Sequence, residues 1–275
     1  MGTKKTWEDR YQARFDQHKV KPALRKKYQD SFKDRAEFKA NVIYERIHHC
    51  LGRIPKSCCD IGCGFGVVAT RFAREGIETL GIDHDDDLIE ICRLKQEEEG
   101  LPGNLCYQSF DISKTLPEKK FDLILCIDTL EHIQDDASAL HNMVSSLQEN
   151  GAIYISTPNK FCLFSLLSDP HFHVPLVSLM PRRWTELIVS KLLRKIYAVD
   201  VEKLYSLSSL RQLCNRAHLK IRHINLEQFR ETVITQPTPF RKMLNALCRI
   251  NFLKSVLENI YIRLIVREHC FLLQR

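Results

Sequence analysis

The chain has 275 residues, of which 44% are hydrophobic and 27% charged, a balance that fits one large α/β domain or two small ones with a substantial core. No uncharged apolar run reaches the roughly 18 residues that suggest a membrane-spanning helix, and the polar opening MGTKKTWEDRYQARF lacks the apolar centre of a signal peptide. The eleven cysteines are odd in number and form no CxxC pair, so a disulfide framework and a zinc site are both set aside in favour of buried thiols in a cytoplasmic protein.

The net charge of +7 is unevenly spread. From Lys160 onward 19 lysines and arginines stand against 8 acidic residues, giving +11, and the residues before it carry −4. A basic half can face an acidic substrate, an anionic membrane or nucleic acid, or simply be a solvated surface. No aromatic-rich RNA-binding signature accompanies it, so nucleic acid is not expected.

Residues 1–50 read as a helical extension of two helices broken near Pro22. From Ser57 strands and helices alternate. SCCDIG is a first strand, VVATRFAREG a helix stopped by Gly76, and IETLGID a second strand. DDLIEICRLKQEEEG is a helix with acidic residues at its start and Gly100 at its end. NLCYQSFD follows as a third strand. FDLILCID, apolar throughout, reads as a central strand covered on both faces. DASALHNMVSSLQENG is then a helix and AIYIST a fifth strand before Pro158. This alternation predicts a doubly wound, Rossmann-like α/β sheet over residues 51–275. Past Pro158 the pattern breaks into an apolar, proline-punctuated insertion over 158–204. SLSSLRQLCNRAHL reads as a capped helix, KIRHINLE as a sixth strand, 237–262 as a helical insertion and HCFLLQR as a closing strand.

CDIGCGFGVVA, from Cys59 to Ala69, is a glycine-rich turn of the kind that holds nucleotides. No lysine follows the glycines, which excludes a Walker loop. The last glycine of a GxGxxG dinucleotide fingerprint would fall at Val67. Asp60, at the end of the first strand, would repel a pyrophosphate and attract an amino group. Asp83, closing the second strand, is placed to accept hydrogen bonds from ribose hydroxyls. A ribose, an ammonium group and no phosphate describe S-adenosyl-L-methionine.

DIGCGFG, GIDHD, FDLILCIDTLEHI and GAIYISTPN, in that order, resemble the successive motifs of class I S-adenosylmethionine-dependent methyltransferases. The resemblance spans residues 57 to about 226 with a final strand at 268–274, and implies a seven-stranded sheet whose last strand is antiparallel. It further implies that Gly62, Cys63 and Gly64 underlie the methionine part, beside Asp60. Asp83 would bind the ribose and His84 lie beside the adenine. Asp111 would take the adenine amino group with Ile112 against the ring, and Ile127 and Asp128 would border the sulfonium. The competing reading of Asp111 is a helix N-cap, and of His84 a solvent-facing loop residue.

Methyl transfer to a hydroxyl needs an aligned acceptor and a base. Glu131-His132, after the fourth strand, resembles the Glu-His step of the ubiquinone-biosynthesis O-methyltransferases. It makes Glu131 and His132 the expected catalytic pair, with His132 as base or acceptor-orienting residue; the alternative is a structural histidine in the pocket wall. That family's Glu-x-x-Glu-His pattern is associated with a divalent cation. Here the first carboxylate is the shorter Asp128, so no metal site is assigned. The 158–204 segment resembles an acceptor lid, with His171 and His173 either near an acceptor or bonded to backbone. In 237–262, Met243, Leu247, Ile250, Leu257, Ile260 and Leu264 recur at near-helical spacing among Arg241, Lys242, Arg249, Lys254, Arg263 and Arg267. Such a segment either lies on an anionic membrane surface or packs against its own domain or a partner. The expected activity is O-methylation of a small or lipid-like, quinone-precursor type acceptor. The rivals are a surface-glycan sugar or an amine as acceptor, and a catalytically silent partner subunit. An NAD-dependent oxidoreductase is disfavoured by Asp60 and Val67.

Overall fold

The structure, a computed structural model, describes residues 6–17, 22–115, 117–167, 176–188, 201–235 and 251–275. His171, His173, Met243, Leu247 and Ile250 lie outside them, as do parts of both expected insertions. Seven strands are Ser57–Ile61 (β1), Glu78–Asp83 (β2), Leu105–Ser109 (β3), Phe121–Ile127 (β4), Leu147–Pro158 (β5), Lys220–His223 (β6) and Glu268–Gln274 (β7). They form one sheet in the order β3-β2-β1-β4-β5-β7-β6. β1 runs parallel to β2 and β4, and β2 parallel to β3, whereas β6 and β7 are antiparallel. This is the doubly wound seven-stranded sheet that the sequence predicts. β1 is buried at every residue and β4 at all but its last, as strands covered on both faces must be. β3, at the sheet edge, buries Leu105 and Tyr107 and exposes Cys106 between them.

The chain divides into two compact units. The first comprises residues 1–127 and 137–154, and the second 128–136 and 155–275. In the first, helices α1 (Trp7–Gln17) and α2 (Pro22–Leu51) lie on either side of the expected break. Pro22 opens α2, where its missing N–H removes no helical bond. Ala40, Ile43, Tyr44 and Ile47 of α2 are buried at i, i+3, i+4 and i+7. This face meets α3 (Val67–Arg74), with Tyr44 and Phe72 edge to face at 5.3 Å and the Arg71 guanidinium 4.1 Å above the Tyr44 ring. α4 (Asp86–Glu99) starts at Asp85, whose carboxylate accepts the N–H groups of Asp87 and Leu88, and ends at left-handed Gly100. Arg53 holds Asp122 through two bonds of 2.6 Å, and the Lys56 N–H adds a third at 2.8 Å. α5 (Asp136–Ser145) joins the two units in sequence.

In the second unit, short helices α6 (Leu163–Leu167) and α7 (Arg182–Glu186) follow β5. α8 (Leu207–Asn215) begins with a capping box between Ser206 and Ser209. α9 (Ile224–Thr235) and α10 (Asn251–Ile260) precede a π-turn over Tyr261–Ile265. The Asn159 amide nitrogen reaches the carbonyls of Ile262, Arg263 and Val266 at 3.4, 3.0 and 2.8 Å, satisfying oxygens that the end of a helix leaves open.

Two elements differ from expectation. β5 starts at Leu147, so the predicted helix stops at Ser145 and the polar run Gln148-Glu149-Asn150 is exposed strand. β6 ends at His223 rather than continuing through Glu227, and the chain turns directly into α9. There the Asn225 side chain accepts the Cys270 N–H at 2.7 Å, so β7 finds a side-chain acceptor where β6 stops. Among the described residues eight cysteines (Cys58, Cys59, Cys63, Cys92, Cys126, Cys162, Cys214 and Cys270) are buried thiols, Cys50 is half-buried and Cys106 is exposed. No described helix is long and apolar enough to cross a membrane.

Candidate active site

In the first unit the site begins where β1 and β2 end. Gly62, Gly64 and Gly66 adopt φ of 67°, 54° and 70°, a region that side chains rarely enter. A Cβ on Gly64 would meet nothing within 4 Å, so the loop faces open space there. Cys63 fixes the loop on both sides: its N–H donates to the Ile82 carbonyl and its carbonyl accepts from Gly66, each at 2.9 Å. Asp83 Oδ2 accepts the Gly64 N–H at 3.0 Å, and Oδ1 accepts the Asp85 N–H at 3.1 Å. The carboxylate closing β2 is thereby held against the loop that follows β1.

Asp60 is 3% exposed. Burial raises its carboxyl to about 7, with the Asp83 charge adding to the rise and a hydrogen bond from the Ala69 backbone opposing it. Among the described residues Asp60 makes no ion pair. A buried carboxylate with no cationic side chain suits a ligand that brings its own positive charge.

Tyr107, which the sequence reading passed over, supports the loop. Its hydroxyl lies 3.2 Å from Thr70 Oγ1 and donates to the Gly66 carbonyl at 3.3 Å. A Cβ on Gly66 would fall 2.3 Å from that hydroxyl, and one on Gly81 2.7 Å from the ring. Both glycines are therefore required by a single aromatic ring. The inward register of Leu105 and Tyr107 on β3 is the signal that could have found it.

The other expected cofactor residues are placed as follows. His84 is exposed, with Nδ1 3.4 Å from Asp83 Oδ1. Asp111 is engaged in its own turn: Oδ1 accepts from the Ser113 N–H and hydroxyl at 2.9 and 2.6 Å, and Lys114 lies 3.0 Å from Oδ2. Burial pushes its carboxyl up, but the bonds from Ser113 and Lys114 outweigh this and hold it below the usual value. Ile112 is buried, and its carbonyl accepts from the Asn142 side chain at 2.7 Å. Ile127 is half-buried at the end of β4.

In the second unit, Asp128 has a left-handed backbone with φ of 48°, unusual for a residue with a side chain. Its N–H donates to the Ser156 carbonyl at 3.0 Å. Leu130–His132 then form one 3₁₀ turn. The turn sends its two titratable side chains to different environments: Glu131 is fully buried and His132 half-buried. Glu131 Oε2 accepts the Thr157 hydroxyl at 2.9 Å, and its carbonyl accepts the N–H groups of Glu202 and Lys203 at 2.8 and 3.1 Å. Lys203 and Tyr205 both reach Asp136, at 2.6 and 2.5 Å. The backbone running out of the post-β5 insertion is thus fastened beside the turn that carries His132. Among the described residues no cluster of three His, Cys, Asp or Glu side chains is arranged to hold a metal ion.

This strand order, with a glycine loop after β1 and a carboxylate closing β2, defines the class I S-adenosylmethionine-dependent methyltransferase fold. Residues 25–224 match the model of the methyltransferase domain family, and the chain belongs to that family. Two relatives are named ubiquinone biosynthesis O-methyltransferase. The one from Acinetobacter baylyi is 30% identical over 114 residues, 41% of this chain and 48% of the relative. The one from Azoarcus sp. is 30% identical over 137 residues, 49% of this chain and 57% of the relative. The chain spans about half the length of these curated relatives. Among solved structures, the plantazolicin methyltransferase in complex with SAH has a TM-score of 0.55 at 19% identity, covering 93% of this chain and 91% of that one. Magnesium protoporphyrin IX methyltransferase from Synechocystis, with bound SAH, has a TM-score of 0.54 at 14% identity, covering 97% and 93%. At these identities the two structures speak for the fold.

Proposed function

We propose that the protein is an S-adenosylmethionine-dependent O-methyltransferase acting on the hydroxyl of a small or lipid-like acceptor of the quinone-precursor type. The observation that carries the reading is the Asp83–Gly64 bond, which holds a carboxylate at the lip of a glycine loop with open space above it. The acceptor class is supported by the relatives named for ubiquinone biosynthesis and by Glu131-His132 after β4.

When bound, S-adenosylmethionine supplies a methyl group on a sulfonium for in-line displacement by an acceptor lone pair. Asp83 would hold the ribose hydroxyls, the backbone of Gly62 to Gly64 would admit the methionine arm, and Asp60 would face its positive charge. His84, Ile112 and Asp111 would flank the adenine. Ile127 and Asp128 would border the reacting carbon. His132, half-buried, takes the acceptor proton on its imidazole. Glu131, enclosed and bonded to Thr157, acts through its neighbours by fixing the turn on which His132 stands.

Calorimetry with S-adenosylhomocysteine and a turnover screen over quinol precursors, glycans and amines test this reading. Asp83→Ala should weaken cofactor binding at least tenfold, the loss of about two charge-assisted hydrogen bonds. His132→Ala should lower turnover on a hydroxyl acceptor by roughly 10²–10⁴-fold with little change in cofactor affinity. Unchanged turnover removes His132 from the chemistry, and binding of NADH in place of S-adenosylhomocysteine overturns the whole reading.

The same proposal includes peripheral contact with an anionic membrane. On α10, Phe252, Val256 and Ile260 are exposed at successive i+4 positions, Phe252 by 74%. Co-sedimentation with phosphatidylglycerol vesicles should be lost in Phe252→Glu and weakened by salt; equal recovery of both proteins would exclude the contact through this helix.

A further inference from the structure

We propose that helix α1 is part of the cofactor site, and that Tyr11 covers the glycine loop through Phe65. The proposal rests on the reading of that loop as the cofactor cradle. Phe65 stands between Gly64 and Gly66, both left-handed, and so projects from the most constrained part of the turn. The Tyr11 ring meets it edge to face, with centroids 4.6 Å apart and planes at 69°. The phenol is partly buried, and burial raises it to about 12.

Further contacts to α4 steer α1 to this place. The Trp7 N–H reaches both Glu98 carboxylate oxygens at 3.3 Å. Arg10 pairs with Glu90 at 2.5 Å. The Lys95 ammonium lies 5.2 Å from the centre of the Trp7 ring. Trp7 and Tyr11, four residues apart, share one face of α1, with ring centroids separated by 6.1 Å. α4 itself starts two residues after Asp83, at the cap of Asp85. The helix is therefore anchored along the element that leaves the ribose-binding carboxylate, and its aromatic face ends on the loop that receives the methionine arm.

The strength of these contacts is as telling as their position. An isolated helix of 11 residues is marginal in water. Exposed ion pairs such as Arg10–Glu90, with side chains 39% and 50% exposed, contribute little. The Tyr11–Phe65 pair adds a hold at the aromatic end. It joins α1 to a loop whose shape a bound cofactor would fix. A cover built from aromatic contacts and exposed ion pairs can lift for cofactor exchange and settle when the loop beneath it is ordered.

The test uses the full-length protein and S-adenosylhomocysteine. Tyr11→Ala should release it about tenfold faster than wild type, the size expected for losing one aromatic pair, while Tyr11→Phe, which keeps the ring, should release it at the wild-type rate. The thermal midpoint of the ligand-free Tyr11→Ala protein reports any general loss of stability. Amide exchange of Trp7–Gln17 should slow when the ligand is added. If Tyr11→Ala binds and releases S-adenosylhomocysteine as wild type does, or if exchange in α1 ignores the ligand, the proposal fails and the cofactor reading stands. If the wild-type protein binds no S-adenosylhomocysteine, both fail.

Discussion

Asp60 carries a cost in the ligand-free protein that a ligand can remove. Its carboxyl titrates near 7 in the folded chain and near 3.8 without the fold. The folded state therefore holds the extra proton between those values, and stability from this group falls as pH rises from about 4 to about 7. A cation placed beside it would pull its titration back down. Cofactor binding at pH 7 should thus release a fraction of a proton, and affinity should decline as pH drops below about 7. Calorimetry in two buffers of different ionisation enthalpy reads the proton directly. Asp60→Asn should abolish the release, weaken binding and raise the thermal midpoint at pH 8; a release unchanged in Asp60→Asn would assign the proton elsewhere. Asp60 and Asp83 were legible as single letters because each stands at or next to the end of a strand. Tyr107 was not, because its importance lies in the two glycines it abuts, 41 and 26 residues away in the chain.

The elements show the same division between what periodicity carries and what pairing decides. β1 and β4 are continuous apolar runs, and α4 announces both ends through Asp85 and Gly100. β5 hides its beginning, since Gln148, Glu149 and Asn150 read as the polar end of a helix until strand pairing extends through them. β6 hides its end, since Ile224 and Leu226 read as further strand residues, whereas the chain enters α9 at Ile224 and Asn225 bonds to β7. The glycine loop is also an element, and its tolerance is testable. Gly66→Ala places a Cβ 2.3 Å from the Tyr107 hydroxyl at a backbone φ of 70°, so it should lose about 1–3 kcal/mol of stability from the backbone alone, with more from the clash. Tyr107→Phe in the same chain should recover only part of the loss, because the ring still touches the site. Equal thermal midpoints for Gly66→Ala and wild type would show that the loop reshapes freely.

For the molecule as a whole, the second unit carries its own acid sensitivity. His223 and His269 lie with ring centroids 6.0 Å apart, both buried, and His269 is fully enclosed with neither ring nitrogen hydrogen-bonded among the described residues. Burial lowers His223 to about 4, with Arg211 adding to the fall and Glu227 opposing it. Burial lowers His269 to about 3, with His223, Arg211 and Arg263 adding to the fall. Unfolded, both would titrate near 6.5, so the unfolded state gains protons first and stability drops as pH falls from about 6.5 toward 4. His269→Phe should flatten that fall, measured as thermal midpoint against pH; an unchanged slope would place the acid-labile groups elsewhere.

The buried cysteines add a consequence for following such openings in time. Cys106 is exposed on the edge strand of the first unit, while Cys58, Cys59 and Cys126 lie within that unit and Cys162, Cys214 and Cys270 within the second. A thiol reagent should modify Cys106 promptly and reach the others only when their surroundings open. Peptide-resolved labelling then dates the opening of each unit with no engineered probe, and the chain becomes its own clock.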